Sequence, residues 1–137
     1  MIRKLSFFAI LLAVFATLAI MGCSDKKTTN PLSNFSPEII NNPDAFEFQI
    51  SNAENVTTVV NYSWENSGTA ASIDQSCAIT AGTAVITVFD ADNVQVYTSD
   101  LSVGGSHQTD TGASGMWNIS VSFQDVDGTV NFRAETM

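Results

Sequence analysis

From Asp44 onward the apolar residues recur at every second position with few interruptions, and that period admits strands and little else. Phe46, Phe48 and Ile50 alternate with Glu47 and Gln49, while Val56, Val60 and Trp64 share a phase opposite Thr57, Asn61 and Glu65. Such alternation puts one side of each strand in a core and the other in water. Further strand-like runs cover 71–80, 84–89, 94–98, 116–123 and 129–134, parted by clusters rich in Gly, Asn and Asp. With Leu101 and Val103 and an edge strand near 106–110, the count reaches seven or eight. Short strands at even spacing, with no helical period and no strand–helix alternation, predict an all-β domain: a single antiparallel two-sheet β-sandwich. Immunoglobulin-like and jelly-roll strand orders both fit. The Cys…Trp…Cys spacing of antibody domains is absent, so only the architecture is predicted.

Within this pattern two segments look alike. Asp90-Ala91-Asp92-Asn93 separates two apolar runs, and so does Gln124-Asp125-Val126-Asp127-Gly128. Both read as hairpin connections, with Asn93 and Gly128 suited to the left-handed position that ends a tight loop.

The 137 residues make one domain of ordinary size, with 5 Lys+Arg against 14 Asp+Glu and a formal charge of −9. A chain this acidic, without a basic cluster, is not built to hold nucleic acid. Its negative surface favours solubility and repels anionic polymers.

The N-terminus is of another kind. Arg3 and Lys4 precede an uncharged apolar run from Phe7 to Met21, which is shorter than the ~20 residues of a membrane-spanning helix and fits a secretory leader. The run ends in Ile20-Met21-Gly22-Cys23, which resembles a bacterial lipobox, with Met21 standing where a smaller residue is usual. The resemblance implies cleavage after residue 22 and acylation of Cys23, so that the acyl chains, at about 0.8 kcal/mol per buried methylene, hold the domain beside a membrane. Ser24 stands where an aspartate commonly retains lipoproteins at the inner membrane, which favours the outer membrane. Ser24-Asp25 resembles an acidic surface-export tag that Lys26-Lys27 interrupts, so the side faced stays open.

Three segments follow: a signal peptide over 1–22, a flexible tether over 23–43 holding all three prolines, and the β-domain over 44–137. Within the tether, Phe35, Ile39 and Ile40 are the residues that would dock on the fold or form a short turn. Loss of Arg3 and Lys4 with the leader leaves three basic groups against 14 acidic ones, a formal charge of −11. Once Cys23 is committed to lipid, Cys77 has no partner for a disulfide, and its phase between Ile73 and Ile79 makes it a small buried hydrophobe.

Gly115-Met116-Trp117 and Gly128-Thr129-Val130-Asn131-Phe132 resemble two motifs of small secreted or lipid-anchored bacterial β-sandwich modules, a Gly-x-Trp before one of the last strands and a closing Gly-x-Val-x-Phe strand. The resemblance spans residues 45–134 and implies the fold alone.

Candidate chemistry is sparse. The single histidine, His107, lies near Ser106 and Asp110, but a nucleophilic triad draws preorganised groups from separate segments, and a polar loop supplies none. No catalytic residue is assigned, and the chain reads as non-enzymatic. Asp90, Asp92, Asp125 and Asp127 are candidate calcium ligands, since calcium takes six to eight oxygens and β-sandwiches can supply them from loops at one end. The plainer reading is turn chemistry, because aspartates at hairpins accept backbone hydrogen bonds. No other cofactor is implied. Glycan or peptide recognition needs exposed aromatics; Trp64 and Trp117 are in core phase, leaving Tyr97 as the outward ring and the loop from Ser106 to Gly115 as the recognition edge. The sequence thus reads as a lipid-anchored envelope protein of the outer membrane, a binding, adhesion or structural module whose partners are the membrane, through its acyl chains, and an envelope or extracellular protein or glycan.

Overall fold

A computed structural model describes residues 28–137; the leader and the Cys23 lipidation site lie outside the described residues. Seven strands follow in order: β1 Glu38–Asn42, β2 Ala45–Asn66, β3 Ala71–Gln75, β4 Ala78–Phe89, β5 Gln95–Asp100, β6 Gly105–Gln108 and β7 Gly115–Thr136. No α-helix occurs among the described residues, only short 3-10 turns at Leu32–Phe35 and Leu101–Val103. The strands form one mostly antiparallel sheet that does not close. Its order is β1-β2-β7-β3-β6, and β4 joins at β7 and carries β5 on its other side.

Two long strands organise this sheet. β2 and β7 are 22 residues each and pair along their whole length, from Ala45 opposite Glu135 to Asn66 opposite Gly115. Neither is straight. The rings of Phe46 and Tyr62, both on β2, have centroids 5.3 Å apart, whereas sixteen residues of uninterrupted strand would separate them by about 50 Å. Phe48 of β2 likewise meets Phe123 of β7 at 6.1 Å, although its register partner on β7 is Phe132. The sheet therefore bends back across its own middle, and the core lies inside the bend.

The bend has a local cause. Register shifts fall between Ile50 and Thr58 of β2, opposite the segment 123–130 of β7, and again on β4 between Ile79 and Thr83. The backbone turns left-handed there at Asn52, Asn55, Gly82, Asp125 and Gly128. Each shift adds a residue to one strand, which kinks it and raises its twist. Gly82 is required where it stands: its φ is 73°, and a Cβ would lie 2.2 Å from the carbonyl oxygen of Asp125.

The segment 124–128, expected to be a hairpin turn, is thus a bulge inside one continuous strand, while Asp90–Asn93 does form the β4–β5 turn. The run over 71–80 divides at Ser76-Cys77 into two strands that pair with different stretches of β7. The described part of the expected tether contributes β1, which pairs with β2 from Glu38 opposite Gln49 to Asn42 opposite Ala45, and Leu32 and Phe35 pack on the core. Ile39 and Ile40, by contrast, stay exposed.

Aromatic rings dominate the core. Phe46, Phe48, Phe132, Trp64 and Trp117 are fully or almost fully buried, each contributing on the order of 2–3 kcal/mol through apolar burial. Phe48 and Phe132 stack at 5.4 Å, which ties β2 to β7 near their outer ends.

Candidate functional site

The four aspartates proposed for calcium do not come together. Asp90 and Asp92 sit in the β4–β5 turn beyond Phe89, while Asp125 and Asp127 lie beside Thr83 and Ala81 at the other end of β4. Seven residues of strand separate the two levels, about 20 Å. One cation cannot bridge that span.

Asp90 is instead the clamp of its turn. It is buried, and its Oδ1 accepts from the backbone N–H of Val94 at 2.8 Å and of Asp92 at 3.0 Å, while Oδ2 accepts from Ala113 at 2.8 Å. These donors, led by Ala113 and Val94, hold its carboxyl below the ordinary aspartate pKa. Asp44 plays a similar part for the β2–β3 connection. The backbone N–H of Ser67 donates to it at 2.7 Å, and the hydroxyls of Ser67 and Thr136 follow at 2.9 and 2.8 Å, which lowers its pKa in that order of influence.

The Ser106–His107–Asp110 stretch does not assemble a triad. Ser106 and His107 are successive residues of β6, whose side chains leave opposite faces of a strand. The Ser106 hydroxyl donates to the Asp74 carboxylate on neighbouring β3, and His107 Nε2 lies 2.8 Å from the Gly104 carbonyl. The loop that follows is pinned to the fold. Thr109 is buried, with its N–H on the Ala71 carbonyl and its Oγ1 accepting from the Ala71 N–H, and the Gly112 N–H reaches the Thr69 carbonyl. Tyr97, expected to face outward, is half-buried: Gln75 Nε2 donates to its hydroxyl at 2.5 Å, and its ring lies 6.2 Å from His107.

Cys77 is half-buried and bridges to β7, its thiol donating to the Asn131 carbonyl and accepting from the Asn131 N–H at 3.2 and 3.3 Å. Burial raises its pKa, so the un-ionised thiol serves as a structural group.

A place with room for a ligand lies on the bend. An open cleft of about 630 Å³ runs between the bulged parts of β2, β4 and β7, walled by Asn52, Glu54, Asn55, Thr80 and Asp127 together with Thr28 and Asn30 of the entering chain. Its architecture follows from the bulges. Asn55, left-handed at φ 50°, turns its N–H onto Asp127 Oδ1 at 2.6 Å and its Nδ2 onto the Thr28 carbonyl. Asn30 fixes the entering chain by donating its N–H to the Asn55 carbonyl at 2.9 Å and its Nδ2 to the Glu54 carbonyl at 2.8 Å. Thr80 Oγ1 donates to the Asp127 carbonyl at 3.3 Å. The wall is rich in oxygen and carries two carboxylates, those of Glu54 and Asp127.

Of the aspartates chosen from sequence only Asp127 belongs to this cleft; Glu54, Asn52 and Asn55 were missed. Their signal was the break in alternation at Ser51-Asn52-Ala53-Glu54-Asn55, which resembles a turn between two strands. Among the described residues no three His, Cys, Asp or Glu side chains group as a metal site, and no helix is long and apolar enough to cross a membrane. No protein-family model matches the chain, and no curated protein matches it.

Proposed function

We propose that the chain is a lipid-anchored protein of the bacterial outer membrane, held through acylated Cys23, whose bent sheet works as a two-layer sandwich: a non-enzymatic binding or adhesion module of the cell envelope. The anchor rests on the lipobox-like Ile20-Met21-Gly22-Cys23 behind an apolar run too short to span a bilayer. The binding role rests on one observation, the oxygen-lined cleft at the bend, in which polar side chains converge on an open space. Elsewhere the polar groups that might have suggested chemistry, Asp90, Ser106 and Thr109, are engaged in holding loops and strand ends.

Mass spectrometry of the N-terminal peptide from the membrane fraction, together with protease shaving of intact and permeabilised cells, tests this reading. Acyl chains on Cys23 and loss of membrane association in Cys23→Ala are the expected results. Digestion on intact cells would assign the partner to the outside, and digestion only after permeabilisation would assign it to the periplasm. A soluble, unacylated native protein would overturn the anchor.

A further inference from the structure

We propose that the bend end of the domain is its membrane-facing surface, leashed to the lipid headgroups by residues 24–27 alone, while the β4–β5 turn points away from the bilayer. The inference rests on the acyl anchor at Cys23 proposed above and adds an orientation to it. The fold takes up the expected tether from Thr28 onward. The Thr28 carbonyl accepts from Asn55 Nδ2, and the Asn30 N–H donates to the Asn55 carbonyl at 2.9 Å. Asn30 also donates its Nδ2 to the Glu54 carbonyl at 2.8 Å and bridges to Val56 beside the bulge. The entering chain is therefore fixed at the bend. Five Cα steps join Cys23 to Thr28, which span about 18 Å at full extension.

The strands turn that leash into a direction. From Thr58 to Asn66 β2 runs along β7 without a register shift, about 26 Å. β4 runs the same way, from Thr83 opposite Gln124 at the bend to Phe89 opposite Asn118, so the Asp90–Asn93 turn sits at the far end. Only a domain lying on its side would bring both ends to the surface, and neither flank favours that pose. The outer face of β1, β2, β7 and β3 carries Glu38, Glu47, Asp74 and Glu135 against Arg133, which an anionic leaflet repels. The opposite flank presents the hydroxyls and amides of Thr57, Asn61, Ser63, Ser122 and Gln124 around the exposed Val59, with little apolar surface to insert. Lys26 and Lys27, in the joining stretch, supply positive charge between the acyl chains and the bend, which draws this end toward lipid phosphates. The cleft lies at the same end, so its ligand is met at the membrane surface.

The test places the native acylated protein in vesicles of phosphatidylethanolamine and phosphatidylglycerol in which a fraction of the headgroups carries a nitroxide quencher. Tryptophan reporters are introduced one at a time at exposed positions: Ser51→Trp and Thr83→Trp on the bend, and Val94→Trp at the β4–β5 turn. The native Trp64 and Trp117 are buried near the far end and give a constant background. Quenching of the two bend reporters is expected to be several-fold stronger than that of Val94→Trp. Insertion of about ten Gly and Ser residues between Lys27 and Thr28 lengthens the leash and is expected to shrink the difference. Mass spectrometry of Cys23 separates the two ways of failing, since an unacylated native protein ends the anchor reading and the orientation with it. With acyl chains shown, equal or reversed quenching at the two ends overturns the orientation and leaves the anchor standing. A difference that survives the inserted linker undiminished overturns the leash as its cause.

Discussion

Trp64 and Trp117 are register partners on the two long strands, and their indoles meet edge to face, with centroids 6.0 Å apart and planes at 87°. Each indole N–H finds a backbone carbonyl, Trp64 that of Asn42 at 3.2 Å and Trp117 that of Ala113 at 2.7 Å. The pair therefore ties three connections to the core at once: the β1–β2 corner, the loop before β7, and the β2–β7 ladder. Trp117→Ala is expected to cost about 3–5 kcal/mol from the cavity and lost contacts. Trp117→Phe retains an aromatic ring but leaves the Ala113 carbonyl without its donor, and a loss of about 1–3 kcal/mol is expected. Urea unfolding followed by far-UV circular dichroism measures both, and a Trp117→Phe variant as stable as the parent would show that the hydrogen bond is immaterial.

Acid should loosen the fold through Asp90 and Asp44. Both carboxyls have folded-state pKa values below their ordinary value because N–H and O–H groups donate to the ionised form. A depressed pKa stabilises the fold above the unfolded-state value, and the contribution disappears as pH falls through the folded-state value. Stability should accordingly be flat above about pH 5 and decline from about pH 4 downward. Asp90→Asn puts an amide NH₂ against one of the backbone N–H donors, so its Tm should drop by several degrees at neutral pH and decline less steeply in acid. Thermal melts between pH 7 and pH 3 on the two proteins decide the matter: parallel pH profiles would remove Asp90 from the account.

The bend makes Gly82 intolerant of any side chain. With φ at 73° and the Asp125 carbonyl oxygen 2.2 Å from the position of a Cβ, Gly82→Ala combines left-handed strain with a backbone clash. A loss of more than about 2 kcal/mol is expected. Gly105, also left-handed, has only the His107 ring at 3.9 Å near its would-be Cβ, so Gly105→Ala should cost about 1–2 kcal/mol, the strain alone. Chemical denaturation of the two variants side by side separates clash from strain, and similar losses would mean that β4 and β7 can part at the bulge.

How far the sequence discloses this molecule depends on which physical signal each part carries. Alternation is a signal of burial, so the all-β class and the core positions of Trp64, Trp117 and Phe48 are legible from it. It carries nothing about where a strand pairs. A bulge and a turn draw on the same residues, Asn, Asp and Gly, because both need a left-handed backbone, and the segments around Asn55 and Asp125 read as chain reversals although each lies inside a strand. The cleft is invisible for the same reason: it is assembled from three strands that are remote in sequence and adjoin only at their irregularities. Tyr97 misleads differently. Its phase is outward, but hydrogen bonding to Gln75 keeps the ring half-buried.

The pairing of β2 with β7 also sets when the domain can form. Ala45 lies opposite Glu135, and the central ladder joins the second strand of the fold to its last. A polypeptide synthesised N-terminus first exposes Phe46, Phe48 and Trp64 long before Phe132 and Trp117 arrive to cover them. Folding is therefore deferred until the C-terminal strand has emerged, because the contacts that close the core are those most distant along the chain. During that interval the half-made sheet leaves the apolar face of β2 uncovered, which makes the incomplete chain prone to aggregate.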